Sequence, residues 1–170
     1  LMKGNLVIGQ SGGPTAVINA SLAGVISEAK KHGNIDGIYG MRFGIEGFLE
    51  GKLIDLRAES ESTLKLLKDT PSSALGSCRM KLANEQLPAV LEMLKRFNIR
   101  YFFYIGGDDS QNTTHRVVEY CKAQGYELHG IGIPKTVDND LYGTDHTPGY
   151  GSAARYVALS TQQGGRLAYD

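Results

Sequence analysis

The stretch Tyr101-Phe102-Phe103-Tyr104-Ile105-Gly106-Gly107-Asp108-Asp109-Ser110 decides the fold of this chain. An apolar, strand-forming run ends on two glycines, two carboxylates and a serine. Ser110 is then expected to cap a helix running to about Gln124, with Val117, Val118 and Cys121 inward. A second apolar run, Leu128 to Ile133, leads into Pro134-Lys135-Thr136-Val137-Asp138-Asn139-Asp140. Strand, helix and strand in that order read as a unit of a parallel sheet. Parallel α/β sheets build their sites just beyond the carboxyl ends of their strands. The two loops therefore predict one crevice holding Asp108, Asp109, Asp138, Asp140, the Lys135 ammonium and several backbone N–H groups. That set suits metal-assisted phosphoryl transfer.

Working outward, the same alternation recurs. Leu6-Val7-Ile8 reads as a short buried strand, Gln10 to Pro14 as a turn, and Thr15 as the N-cap of a helix over Ala16 to Lys31 closed by Gly33. Asp36 to Tyr39 is a second short strand, and Leu53-Ile54 a small edge strand. Phe43 to Gly51 is glycine-rich and expected to be irregular, with a helical turn at most. Ser60 to Lys68 reads as a short helix. Leu87, Val90, Leu91, Leu94 and Phe97 give the cleanest amphipathic helix, over Asn84 to Phe97, with Pro88 in its first turn, where the lost N–H costs little. A last helix is expected to begin near Gly151. The expected fold is α/β, a three-layer Rossmann-like domain with a mostly parallel sheet.

The chain's 170 residues suit a single domain, with no internal repeat or interdomain linker. Its 18 basic and 18 acidic residues balance, which gives no electrostatic reason to expect nucleic acid or an anionic membrane as partner. No apolar run approaches the ~20 residues of a membrane-spanning helix, and no signal segment opens the chain. Cys78 and Cys121 lack metal spacing and read as core residues of a reduced, cytoplasmic protein. Leu1 before Met2 reads as an expression remnant. His32, His115, His129 and His146 show no metal spacing either, and only His146 lies in a motif loop.

Each motif has a plain reading beside the functional one. Ser11-Gly12-Gly13 follows a strand and opens a helix, so it is either an anion cradle of backbone N–H groups or a simple turn. It is neither a Walker A loop nor a dinucleotide fingerprint, because the lysine and the glycine spacing are missing. Asp108 and Asp109 either complement a helix dipole or place a carboxylate on Mg²⁺. An extended backbone over residues 135–140 would put Thr136, Asp138 and Asp140 on one side, suiting a polyol substrate and a general base; a solvated acidic turn is the alternative. Arg79, in Gly76-Ser77-Cys78-Arg79, is either a phosphate ligand or a surface arginine.

Taken together and in this order, the motifs resemble the N-terminal part of a phosphofructokinase. The resemblance rests on Ser11-Gly12-Gly13 with Asn19-Ala20, Gly76 to Arg79, Gly106 to Ser110, Pro134 to Asp140, Gly143-Thr144-Asp145 and Gly149-Tyr150. It implies phosphorylation of fructose 6-phosphate at its 1-hydroxyl, with Mg²⁺. Matched residue by residue, Asp138 would take the proton from the attacking hydroxyl. Thr136 and Asp140 would help hold the sugar phosphate, and Asp108 would serve Mg²⁺. Gly13 would cradle phosphate, with Gly107 and Ser110 beside it, and Arg79 would face the transferring group. ATP-using members typically carry glycine where this chain has Asp109 and where it has Lys135. The two side chains resemble the pyrophosphate-dependent branch. Asp109 would repel a nucleotide α-phosphate by about 4 kcal/mol at ~4 Å and an effective dielectric near 20, roughly a thousandfold in affinity. Lys135 would supply charge to the smaller donor.

The family also has a second lobe, carrying a Met-Gly-Arg segment and the arginines for the sugar 6-phosphate, and this chain ends at Asp170 without them. Residues 1–170 are therefore read as a single N-terminal donor-binding lobe, expected to be inactive alone, of a protein expected to be homo-oligomeric. The rival expectations are an ATP-dependent phosphofructokinase and a non-catalytic phosphate- or nucleotide-sensing domain. Asp138 beside Thr136 argues against the sensor, since binding needs no base.

Overall fold

Alternation in the first strand sets the layering. In a computed structural model that describes residues 2–169, β1 (Gly4–Gln10) is the middle strand of a five-stranded sheet. Leu6 and Ile8 point to one face and Val7 to the other, as the two-residue period of a strand requires. Leu1 and Asp170, on which the expectations about the chain's ends fall, lie outside the described residues.

The remaining strands are β2 (Ile35–Met41), β3 (Leu53–Asp55), β4 (Ile99–Gly106) and β5 (His129–Pro134), in the spatial order β3-β2-β1-β4-β5. β1 pairs parallel with β2 and β4, and β4 pairs parallel with β5. The edge strand β3 runs antiparallel to β2. From β1 the chain goes to β2 on one side and later returns as β4 on the other. The loops leaving β1 and β4 thus diverge, and this opens a crevice at the strands' carboxyl ends.

Helices cover both faces, making three layers. α1 (Ala16–Ala29) and α3 (Glu61–Asp69) pack over Leu6, Ile8, Ile38 and Ile105. Ile18, Leu22 and Ile26 of α1 are essentially fully buried, each worth roughly 1.5–3 kcal/mol of apolar transfer. α2 (Gly44–Leu49), α4 (Leu87–Arg96) and α5 (Asp108–Ala123) cover Val7, Met41, Phe102 and Tyr104 on the opposite face. α6 (Tyr150–Leu167) buries none of its residues.

Three sequence expectations change. Phe43 to Gly51 contains a true helix, α2, entered through left-handed Phe43 (φ 58°) and held by buried Ile45 and Phe48. The amphipathic segment from Asn84 opens as a 3-10 turn, Asn84–Gln86, before α4, with Pro88 in the first α turn. Ser110 does not cap α5. The helix starts at Asp108 with Gly107 as its cap, because Ser110 N and Gln111 N both donate to Gly107 O at 3.0 Å. The apolar run over 128–133 forms a strand as expected, the edge strand β5, with Ile131 50% exposed at the sheet margin.

Candidate functional site

Three strand ends and one long loop build the crevice. Ser11 N donates to Ile105 O at 2.9 Å, and Lys135 N donates to Gly106 O at 3.0 Å. These bonds extend the sheet ladder by one step and fix where the loops after β1, β4 and β5 diverge. The loop over residues 76–81 closes the fourth side. Gly12 N donates to Cys78 O at 3.3 Å, Ser11 Oγ donates to the same carbonyl at 3.4 Å, and Ser77 Oγ donates to Gly12 O. The resulting cavity is about 620 Å³. Gly13, Arg79, Gly107, Asp108, Asp109, Ser110, Lys135, Thr136, Asp138 and Asp140 all line it. Every site residue expected from the sequence is therefore brought to one place.

Lys135 forms the floor. It is only 4% exposed, and its ammonium donates to Gly13 O. Among the described residues no carboxylate lies within ion-pair distance of it. Burial, and next the positive charge of Arg79, push its pKa below the usual lysine value of 10.5. Gly12 is required beside it. Its φ of +75° is left-handed, and an added Cβ would stand 3.1 Å from the Lys135 ammonium. Arg79 is exposed, with its Nη2 3.6 Å from the position of a Cβ on Gly13. Two cations thus converge on one glycine loop.

The segment after Lys135 is not extended. Thr136 Oγ1 accepts from Asp138 N at 3.1 Å, which closes a tight turn, and Asn139 is left-handed at φ 55°. Residues 144–148 return to hold it. Thr136 N donates to Pro148 O at 3.0 Å, and Thr147 N donates to Asn139 Oδ1 at 3.0 Å. Asn139 Nδ2 donates to Asp145 O at 3.0 Å. Thr136 is consequently buried, with its hydroxyl occupied in the turn, while Asp138 and Asp140 are exposed to the crevice.

Asp108 and Asp109 occupy the first turn of α5, where the helix dipole favours negative charge. Asp109 and Lys135 do not pair with each other. Asp109 meets the Lys81 ammonium at 3.3 Å instead, and its side chain is 75% exposed. Solvent and Lys81 both weaken the repulsion that a bare Asp109 would exert on a nucleotide.

No cluster of three potential metal-ligating side chains exists among the described residues. Mg²⁺ does not need one, because it keeps several waters and takes one or two carboxylates plus phosphate oxygens. Exposed Asp108 beside the Gly107 turn fits that donor set. The cysteines are both free and buried; burial pushes the Cys121 thiol up to about 11, which suits a core residue rather than a nucleophile. Tyr104 is likewise a core group. Its phenol accepts from Ile45 N at 3.1 Å, and burial raises its pKa.

The phosphofructokinase family profile matches residues 5–163. The chain belongs to the phosphofructokinase family. It is 48% identical over 168 residues to the pyrophosphate–fructose 6-phosphate 1-phosphotransferase of Xanthomonas campestris, covering 96% of this chain and 40% of that protein. The enzyme of the same name from Rhodospirillum rubrum is 46% identical over 158 residues, covering 93% of this chain and 39% of that one. The crystal structure of a pyrophosphate-dependent phosphofructokinase from Nitrosospira multiformis superposes with a TM-score of 0.89 at 48% identity, over 95% of this chain and 41% of that one. The chain thus spans about 40% of the length of the curated relatives it matches.

In this phosphofructokinase-family chain the sequence reading missed the brace behind the crevice. Gln10, read as a turn residue, is fully buried. Its amide donates to Ile18 O (3.2 Å) and Asn19 Oδ1 (3.0 Å) and accepts from Ser73 Oγ and Leu75 N (both 2.9 Å). A polar residue closing an apolar strand run was the available signal. Gln10→Leu strands those partners and is expected to destabilise the fold by about 3 kcal/mol, read as a lower urea midpoint with unchanged slope. A midpoint equal to the wild type would remove Gln10 from this role.

Proposed function

We propose that this chain is the donor-binding lobe of an enzyme that transfers a phosphoryl group from pyrophosphate to the 1-hydroxyl of fructose 6-phosphate. One observation carries the reading most: the Lys135 ammonium is buried at the crevice floor, pushed toward neutrality by burial and by Arg79, and met by no carboxylate among the described residues. A desolvated cation without a counter-ion is costly unless an anion arrives to complete it. A compact, highly charged diphosphate held between Arg79 and Lys135 does so.

The transfer is a displacement in line. The Asp138 carboxylate accepts the proton of the sugar's 1-hydroxyl as that oxygen forms its bond to phosphorus. The bond from phosphorus to the bridging oxygen of pyrophosphate breaks, and orthophosphate leaves. Lys135 and Arg79 balance the charge on the phosphate oxygens, and backbone N–H groups around Gly13 and the start of α5 orient them. Mg²⁺, held through Asp108 and its waters, would supply further charge neutralisation on the diphosphate. Asp140 and the turn fixed by Thr136 hold the acceptor's reacting end next to Asp138. The chain spans about 40% of the relatives' length, so turnover is measured on a polypeptide of that full length. The reading extends to a homo-oligomeric enzyme in the cytoplasm, and the two free, buried cysteines accord with a reducing compartment. No helix among the described residues is long and apolar enough to cross a membrane.

Lys135→Met in a polypeptide of the relatives' full length tests the reading. Methionine keeps most of the unbranched length and removes the charge. The KM for pyrophosphate is expected to rise roughly a hundredfold, the scale of a lost charge-assisted phosphate contact of about 1.5–3 kcal/mol. The thermal midpoint should be unchanged or higher, because the ammonium's desolvation disappears too. Unchanged donor kinetics would contradict it.

A further inference from the structure

Thr15 holds a buried hydroxyl that no other group meets. The residue is 8% exposed, and its Oγ1 is the one buried side-chain nitrogen or oxygen without a hydrogen-bond partner among the described residues. Its backbone takes the extended conformation of an N-cap before α1 (φ −134°, ψ 171°), yet no helix N–H donates to the hydroxyl. A buried hydroxyl left unpaired is costly, and a valine of the same shape would avoid the penalty. The resting fold therefore gives no reason for threonine here.

Its neighbours supply one. Gly149, the N-cap of α6, is left-handed at φ 101°. The point where a Cβ on Gly149 would lie is 3.1 Å from Thr15 Oγ1 and 3.1 Å from Thr136 O. That carbonyl is poorly paired, because Thr147 Oγ1 donates to it from 3.4 Å, longer than an ordinary O–H···O bond. A donor and an acceptor, each short of a partner, thus border one small space that glycine leaves empty. They belong to the two halves of the chemistry. Thr15 follows the Ser11-Gly12-Gly13 loop after Pro14, and Thr136 opens the turn that carries Asp138. A cavity of about 440 Å³, lined by Thr15, Val137 and Tyr156 among others, lies beside the joint and leaves it room to close.

We propose that Thr15 is a positioning residue: when the two loops draw together over bound substrates, its hydroxyl donates to Thr136 O and sets the Asp138 turn against the donor loop for proton transfer. Thr15 acts through Asp138 rather than on a substrate. The inference rests on Asp138 as the base in the reading above, and not on which donor is used.

The test is steady-state kinetics and thermal melting on a polypeptide of the relatives' full length. Thr15→Val is expected to lower kcat about tenfold, with the KM for pyrophosphate within about threefold of the wild type and a thermal midpoint equal or higher. Thr15→Ser keeps the hydroxyl and should hold kcat within about threefold. In an Asp138→Asn background Thr15→Val should lower kcat by less than about twofold more, since both changes act on one step. An unchanged kcat in Thr15→Val, a lower midpoint, an equal loss in Thr15→Ser, or a tenfold loss that persists in Asp138→Asn would overturn the proposal. Those failures leave the base in place as long as Asp138→Asn alone lowers kcat. An unchanged kcat in Asp138→Asn alone would remove the base and the proposal together.

Discussion

Asp138→Asn, in a polypeptide of the relatives' full length, is expected to lower kcat by roughly 10²–10⁴-fold, the contribution of a positioned general base. The substitution keeps shape and hydrogen-bonding reach and removes the basicity. The structural setting makes the result easy to interpret. The turn that places Asp138 depends on its backbone N–H, donated to Thr136 Oγ1 at 3.1 Å, and not on its carboxylate. The side chain itself is exposed to the crevice. The thermal midpoint should therefore stay with the wild type, and the KM for pyrophosphate should hardly move. A kcat within a few-fold of the wild type would show that another group takes the proton.

Asp109→Gly is expected to move the donor ratio, kcat/KM for pyrophosphate over that for ATP, toward ATP by about 10²-fold. Two unit charges ~4 Å apart interact by about 4 kcal/mol at an effective dielectric near 20 and by about 1 kcal/mol in water. Asp109 lies between these limits, because its side chain is 75% exposed and Lys81 stands 3.3 Å away. A thousandfold change, expected for a bare carboxylate, is thus an upper bound, and a hundredfold change corresponds to about 2.7 kcal/mol. Glycine adds conformational freedom in the first turn of α5, where Gly107 already caps the helix, so the structural cost is modest. A donor ratio unmoved by this substitution would take Asp109 out of specificity.

What the sequence shows and what it hides divide along physical lines. β1 and β4 are legible as short continuous apolar runs, and the amphipathic α4 because burial repeats with the helical period, as in Leu87, Val90, Leu91 and Leu94. α2 is hidden because Gly44 and Gly47 lower its intrinsic helix preference, and the burial of Ile45 and Phe48, which depends on distant β1 and β4, carries it instead. The site residues are legible as types in loops after strands. Their states are not. Lys135 is buried because Gly12 and Gly13, more than 120 residues away along the chain, close over it. Thr136 is spent on a turn because residues 147 and 148 come back to brace it. The partner of Asp109 is Lys81 rather than Lys135, a matter of how the loop over residues 76–81 lies across the crevice. Each of these facts is set by tertiary contact, which local pattern does not contain.

The central claim is that a buried lysine and a rim aspartate turn a phosphofructokinase crevice toward a diphosphate donor. The most direct measurement is the phosphorylation of fructose 6-phosphate by an unmutated polypeptide of the relatives' full length, with pyrophosphate and ATP compared as donors under identical Mg²⁺. The account predicts a kcat/KM for pyrophosphate at least about 10²-fold above that for ATP. A higher kcat/KM for ATP would contradict it.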